Sequence, residues 1–463
     1  MKGEKHEKKI SLILVVVMVL SCLAACGQAK TPAAESTVAP AETVAEGTAA
    51  PETETEPVVS GDVELASHFA PGSEQAAVLQ GIADAFMAEH PEINVTIQFN
   101  GNENFVKMKT RFAANDAPDI IWTSPSDMLW YVQSDLLAPL TDVYNGQNYY
   151  GTGIMADDFP YKAVVDMNTV DGEIMALPAE LCAGAWYYNK AVFEDLGLSV
   201  PATWDEFVAN NAKMLEAGIS PICADGNVDF YLPWYFTNLA VRLAGLDAYK
   251  EILANPDSSL WDNPAFLQAA KMVEEGIVPF FQPGMKGTQY PAANALFAQG
   301  QAAMTYCASW FPQEIISITP DDFQYGMFSF PEIEGAKETR TVVEMKANSY
   351  VLCKEAKNPE AAKLFLTYLV SKDGLEPLVQ LNMLPAISGI DNIPEIQQEV
   401  LSIFETAEVG VPIHFYLFDP DYKDWASAVI FPANNQLCYG EITAEQFIEA
   451  VKTSNDAFFA AKK

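Results

Sequence analysis

Basic side chains are scarce in this 463-residue chain, where 26 lysines and arginines face 62 aspartates and glutamates. The formal net charge of −36 repels nucleic-acid phosphates and anionic lipid headgroups, and it is compatible with a neutral or cationic ligand. Histidine is scarcer still. Beyond residue 25 only His68, His90 and His414 occur, and none stands at a metal-ligand spacing. After Cys22 and Cys26 the remaining cysteines are Cys182, Cys223, Cys307, Cys353 and Cys438. Their odd number, wide spacing and lack of a CxxC pair exclude a disulfide framework in favour of isolated buried thiols. There is no GxSxG elbow, no HExxH and no GxxxxGK[ST] phosphate loop, so no cofactor and no metal is expected. No fixed-period repeat and no coiled coil is present.

Long apolar runs are confined to the N-terminus. Lys2, Lys5, Lys8 and Lys9 precede Ile10–Leu20, a stretch too short to span a bilayer, and small residues close it. Residues 1–25 therefore read as a secretory signal peptide. The sequence Leu23-Ala24-Ala25-Cys26 resembles the lipobox of bacterial lipoproteins. That resemblance implies cleavage before Cys26, acylation of its thiol, and a membrane contact made through the lipid alone, on the outer face of the cytoplasmic membrane. Removing residues 1–25 takes away four lysines and two glutamates, leaving 22 basic against 60 acidic side chains. Residues 26–60 are rich in Ala, Thr, Glu and Pro with few large apolar side chains, the composition of a disordered acidic tether.

The remainder is long enough for two domains at about 150 residues each. Val63-Glu64-Leu65 is a short strand, and Val78, Leu79, Ile82 and Phe86 form a helical stripe that ends at Pro91. Ile93, Val95, Ile97 and Phe99 alternate with polar residues as a half-buried strand does. Phe105, Met108 and Phe112 mark a helix, Asp119-Ile120-Ile121 a buried strand, and Met128–Leu137 another helix. This alternation implies parallel pairing with helices over the sheet, and ligands collect beyond the carboxyl ends of such strands. The loops His68–Glu74 and Trp122–Asp127 fall there. Thr203-Trp204-Asp205-Glu206 is a capping box, which makes Trp204 structural. Pro359–Ser371 and Thr443–Ala460 read as two further helices.

Five ordered segments together resemble family 1 extracellular solute-binding proteins, the sugar-capturing parts of ABC importers. They are Asp84–Ile93, Pro118–Ile121 leading to Gln133–Leu140, Asp171–Phe207, Phe297–Met304 with Trp310, and Asn358–Ala362. The resemblance implies an α/β, type II periplasmic-binding-protein-like fold of two hinge-linked lobes, each a mainly parallel sheet flanked by helices. The N-terminal lobe would comprise 61–179 plus 332–380, and the C-terminal lobe 180–331 plus 381–463. Crossings fall near Ala179–Leu181, Pro331–Val343 and Leu381–Pro385. A ligand between the lobes would be trapped by closure about the hinge, and the closed form is what the membrane permease subunits of an ABC transporter would meet. The family also implies a monomer.

Sugar capture needs flat apolar faces and acids for the hydroxyls. Trp122 ends a strand, and Asp127 shares its loop; a maltose-binding family member has a sugar-contacting acid there, although capping of the next helix is the rival reading. The family often places a sugar-bonding carboxylate at the crossing position of Glu180. Tyr231 and Trp234 lie in an aromatic loop, with core packing as the alternative. Trp310 matches the family's stacking tryptophan, and Trp425 is placed like a second stacking aromatic. The expected function is a lipid-anchored receptor for a carbohydrate, an oligosaccharide above all. The alternatives are a secreted glycosidase with paired carboxylates and a same-fold receptor for a non-sugar solute.

Overall fold

The computed structural model describes residues 58–229, 231–339, 342–412 and 420–462. The expected signal peptide, the acylation site Cys26 and all but the last three residues of the tether lie outside the described residues.

The strands are β1 Gly61–Ser67, β2 Ile93–Phe99, β3 Ile120–Thr123, β4 Leu137–Ala138, β5 Thr169–Val170, β6 Glu173–Ile174 and β7 Leu177–Asn189. They continue as β8 Ser220–Ile222, β9 Ala302–Ala308, β10 Tyr325–Phe328, β11 Val342–Cys353 and β12 Val409–Pro412. All but the β5–β6 pair join one ten-stranded sheet whose spine runs β2-β1-β3-β11-β7-β9-β8. β1 pairs in parallel with β2 and β3, as alternating strands and helices require. β8 and β9 are also parallel. Antiparallel pairing enters at β11 and β7. β7 is long because it pairs with two strands in turn: Leu177–Ala183 pair with β11, whereas Gly184–Tyr188 pair with β9. Leu384–Ala386 lie on the other side of β7, with Leu181 donating to Leu384 O (2.9 Å) and Ala386 to Ala179 O (3.1 Å). Three segments therefore run side by side at Glu180.

Helices cover the sheet. Glu74–Glu89 starts at Ser73, whose hydroxyl accepts from Ala76 N, and it buries Leu79, Ile82 and Phe86. Phe86 meets Phe365 (4.8 Å) and Tyr368 (5.3 Å) of the helix Pro359–Leu369, each ring worth about 2–3 kcal/mol of apolar burial. The helix expected over Met128–Leu137 is shorter, Pro125–Gln133. Asp135 takes a left-handed φ of 56°, which ends the helix and returns Leu137 to the sheet as β4, paired with Cys353. The expected capping box forms, Thr203 with Glu206, and the structure adds a second, Thr443 with Gln446. Trp204 stacks on Phe330 (6.0 Å, 12°), and a Cβ at Gly276 would come within 2.4 Å of its ring, so glycine is required there for close packing. Cys182, Cys223, Cys307, Cys353 and Cys438 are unpaired and buried. Among the described residues no helix is long and apolar enough to cross a membrane.

Candidate functional site

Parallel pairing of β1 and β3 brings their carboxyl ends together, and the first wall of the site is built there. His68, Phe69 and Trp122 form a ring triangle with centroids 5.0–5.2 Å apart, and Tyr350 of β11 closes on Trp122 at 4.7 Å, edge to face. Three polar atoms in this cluster, His68 Nδ1, Trp122 Nε1 and the Tyr350 hydroxyl, are buried with no hydrogen-bond partner among the described residues. An unmet buried polar group costs about 1–3 kcal/mol, so three on adjoining rings mark a place where stability has been given up. Asp127 sits in the first turn of the helix Pro125–Gln133. The cap of that helix is Ser124, whose hydroxyl accepts from Asp127 N at 3.4 Å. The capping role weighed for Asp127 thus belongs to Ser124, whose side chain also bonds the Asp127 carboxyl. Burial raises its pKa, opposed by the Ser124 bond and by the charges of Lys346, Lys109 and Lys423.

Between these two strand ends and β9 lies the place where β11, β7 and Leu384–Ala386 run side by side. Glu180 of β7 accepts from Asn348 Nδ2 of β11 at 2.7 Å. Burial raises its pKa, against that bond and the charge of Lys346. Lys346 also acts on His68, whose pKa is lowered from 6.5 to about 4, chiefly by burial and then by this lysine. Its ammonium lies 5.1 Å from the Trp310 ring centroid.

The second wall follows β9. Ser309 is pinned to the crossing, donating through Oγ to Leu181 O (3.2 Å) and through N to Ala183 O (3.0 Å), which sets the position of Trp310. Trp310 Nε1 donates to the Tyr290 hydroxyl (3.3 Å), and that hydroxyl donates to Glu314. Tyr231 stacks on Tyr290 (4.7 Å, 13°), and Trp234 lies 5.3 Å from Tyr231 and 6.2 Å from Trp310. Trp310 and Tyr231 are half-buried, while Trp234 is 1% exposed and lies behind them.

Lys346 thus lies beside Trp310 and its charge acts on Asp127, Glu180 and His68, whereas Trp122, 1% exposed, is packed behind His68, Phe69 and Tyr350. Tyr231 and Trp234 back Trp310. Trp425 is not brought to this group: it is fully buried and its Nε1 donates to Asn455 Oδ1 at 2.7 Å. Sequence reading missed Lys346, His68, Tyr350 and Tyr290. One signal was present. Glu344, Lys346 and Asn348 alternate with Met345 and Ala347, which puts three polar residues on one face of a strand. Among the described residues no group of three His, Cys, Asp or Glu side chains could hold a metal ion.

Comparison with known proteins assigns the class. The model of the bacterial extracellular solute-binding protein family matches residues 70–376, more than half of the chain. The protein belongs to that family. It is similar to the diacetylchitobiose-binding protein NgcE of Streptomyces coelicolor, at 25% identity over 61% of this chain and 60% of the relative. The match therefore spans less than two thirds of that relative. The multiple sugar-binding protein of Streptococcus mutans is also 25% identical, over 83% of this chain and 84% of its own. In fold, the chain resembles the apo form of RafE from Streptococcus pneumoniae, with a TM-score of 0.68 at 18% identity, covering 87% of this chain and 99% of the other. The architecture is that of type II periplasmic sugar-binding proteins.

Proposed function

We propose that this protein is a receptor that captures a carbohydrate, an oligosaccharide above all, between the two walls and presents it to the membrane subunits of an ABC transporter. The reading rests on one observation: two acids (Asp127 and Glu180) feel the charge of Lys346, whose ammonium lies 5.1 Å from the half-buried Trp310 ring, while Trp122, itself 1% exposed, packs against His68. Indole offers its face to the C–H side of a sugar ring, and the acids accept from its hydroxyls. A micromolar complex needs about −8 kcal/mol, which several such contacts acting together supply. The relatives named above are binding proteins for sugars, which supports the same ligand class and a non-catalytic role here.

In this reading 61–179 with 332–380, and 180–331 with 381–463, act as two lobes that move about the crossing at Glu180. The mature chain begins at acylated Cys26 and works as a monomer outside the cytoplasmic membrane, held by its lipid and the tether. The test is thermal melting and tryptophan fluorescence of the purified protein against a saccharide panel. A ligand that binds only the folded form at a hundredfold its Kd adds about 2.7 kcal/mol of stability. No response to any saccharide would reject the receptor reading, and turnover of a chromogenic glycoside would replace it with an enzyme.

A further inference from the structure

Tyr290, which bonds the Trp310 indole, also lines a cavity to which Trp310 itself does not contribute. β8 and β9 run parallel, so the loop after β8 emerges beside the segment that leads to Trp310. Asp225 on that loop, 4% exposed, lines the cavity together with Tyr231, Tyr235, Tyr290, Tyr306 and Asn294. Asp225 Oδ1 accepts from Asn227 N (2.7 Å) and Val228 N (3.3 Å), which fixes the carboxylate. Its Oδ2 is buried with no hydrogen-bond partner among the described residues. Glu314 adds a second acid at the same wall, accepting from Tyr290 and from Asn294 Nδ2 (3.2 Å). No lysine or arginine among the described residues acts on either carboxyl.

The cavity is about 20 Å³, room for one water-sized group and not for a sugar ring. Tyrosine faces and a carboxylate with an open oxygen attract a cation and hydrogen-bond donor, whereas an anion or a bare acceptor would be repelled. The wall is continuous with the stacking site, since Trp310 Nε1 donates to Tyr290, which itself stacks on Tyr231.

We propose that this cavity receives the protonated amino group of an amino sugar whose ring stacks on Trp310, with Asp225 as its partner. The inference rests on the receptor reading and sharpens it to a ligand class. Isothermal titration of the whole protein with glucosamine disaccharides and trisaccharides, and with their hydroxyl and N-acetyl counterparts, tests it. The amino forms should bind at least tenfold more tightly than either counterpart, and the preference should vanish at a pH that deprotonates the amine. Asp225→Asn keeps the Oδ1 acceptor for the loop amides, and it should abolish the preference while leaving the affinity for the hydroxyl forms within twofold. Should that variant fail to fold, the pH comparison on the unaltered protein decides alone. Equal or tighter binding of the hydroxyl or N-acetyl forms overturns the proposal. So does a preference that survives Asp225→Asn, or binding of other saccharides with none of the amino series. Failure of every saccharide to bind rejects the receptor reading itself, and this proposal with it.

Discussion

The two walls of the site spend their polar atoms differently. In the first, His68 Nδ1, Trp122 Nε1 and the Tyr350 hydroxyl are buried and unmet. In the second, the Trp310 indole N–H and the Tyr290 hydroxyl are tied in a chain that ends on Glu314. A wall whose polar atoms are buried and unmet holds unused hydrogen-bonding capacity. A wall whose donors are already bonded offers mainly ring faces, held rigid by those same bonds. Lys346, with its ammonium near Trp310 and its charge felt at Asp127, Glu180 and His68, belongs to both.

The largest expected effect separates the two indoles set against family stacking positions, Trp425 and Trp310. Trp425→Ala should cost about 3–5 kcal/mol of stability, seen as a lower denaturation midpoint, because it empties a closed core position and strands Asn455. Saccharide affinity should be unchanged; a parallel loss of affinity would extend the second wall to residue 425. Trp310→Ala should do the reverse. We expect about 3 kcal/mol off the binding energy, over a hundredfold in Kd by titration calorimetry, with little change in melting. An unaltered Kd would remove the stacking face from the comparison.

The first wall is probed by acid. The folded protein holds His68 neutral down to about pH 4, while the unfolded chain takes up the proton from 6.5 downward. The unfolded state therefore binds more protons in that window, and stability falls as pH drops through it, by at most about 3 kcal/mol. Asp127 and Glu180, with raised pKa values, work in the opposite sense, gaining stability as pH falls. Comparing chemical denaturation of the native chain with His68→Gln isolates the histidine contribution, and identical pH slopes would refute it. The smallest effect is at Tyr350→Phe, which removes an unmet hydroxyl and keeps the ring. Stability should hold or rise by up to about 1 kcal/mol, while affinity falls about tenfold if that hydroxyl meets the ligand. A loss of stability would mean the hydroxyl is bonded in the free protein.

Much of this was readable in advance, and the reason is locality. The stripe Val78-Leu79-Ile82-Phe86 and the alternation from Ile93 to Phe99 each bury one face of a single element, so their periods reveal them without reference to anything distant. The capping box at Thr203 closes within four residues. Trp122 and Asp127 could be singled out because a strand end and the following loop are adjacent in sequence. Lys346 and Asp225 were not, since each gains its meaning from partners far along the chain: Lys346 from Asp127, Glu180 and Trp310, and Asp225 from Tyr290 and Glu314. Trp425 shows the converse. An indole at a plausible position was claimed by the packing of Asn455 thirty residues later.

By itself the sequence determined the alternation of strands and helices, the acidic surface, the unpaired thiols and the family, because composition, period and short ordered motifs carry these. Tertiary structure alone decided which aromatic rings face an opening and which are sealed in the core. It also decided which carboxyls share a lysine, because burial and charge pairing depend on the distance between segments that only the folded sheet brings together.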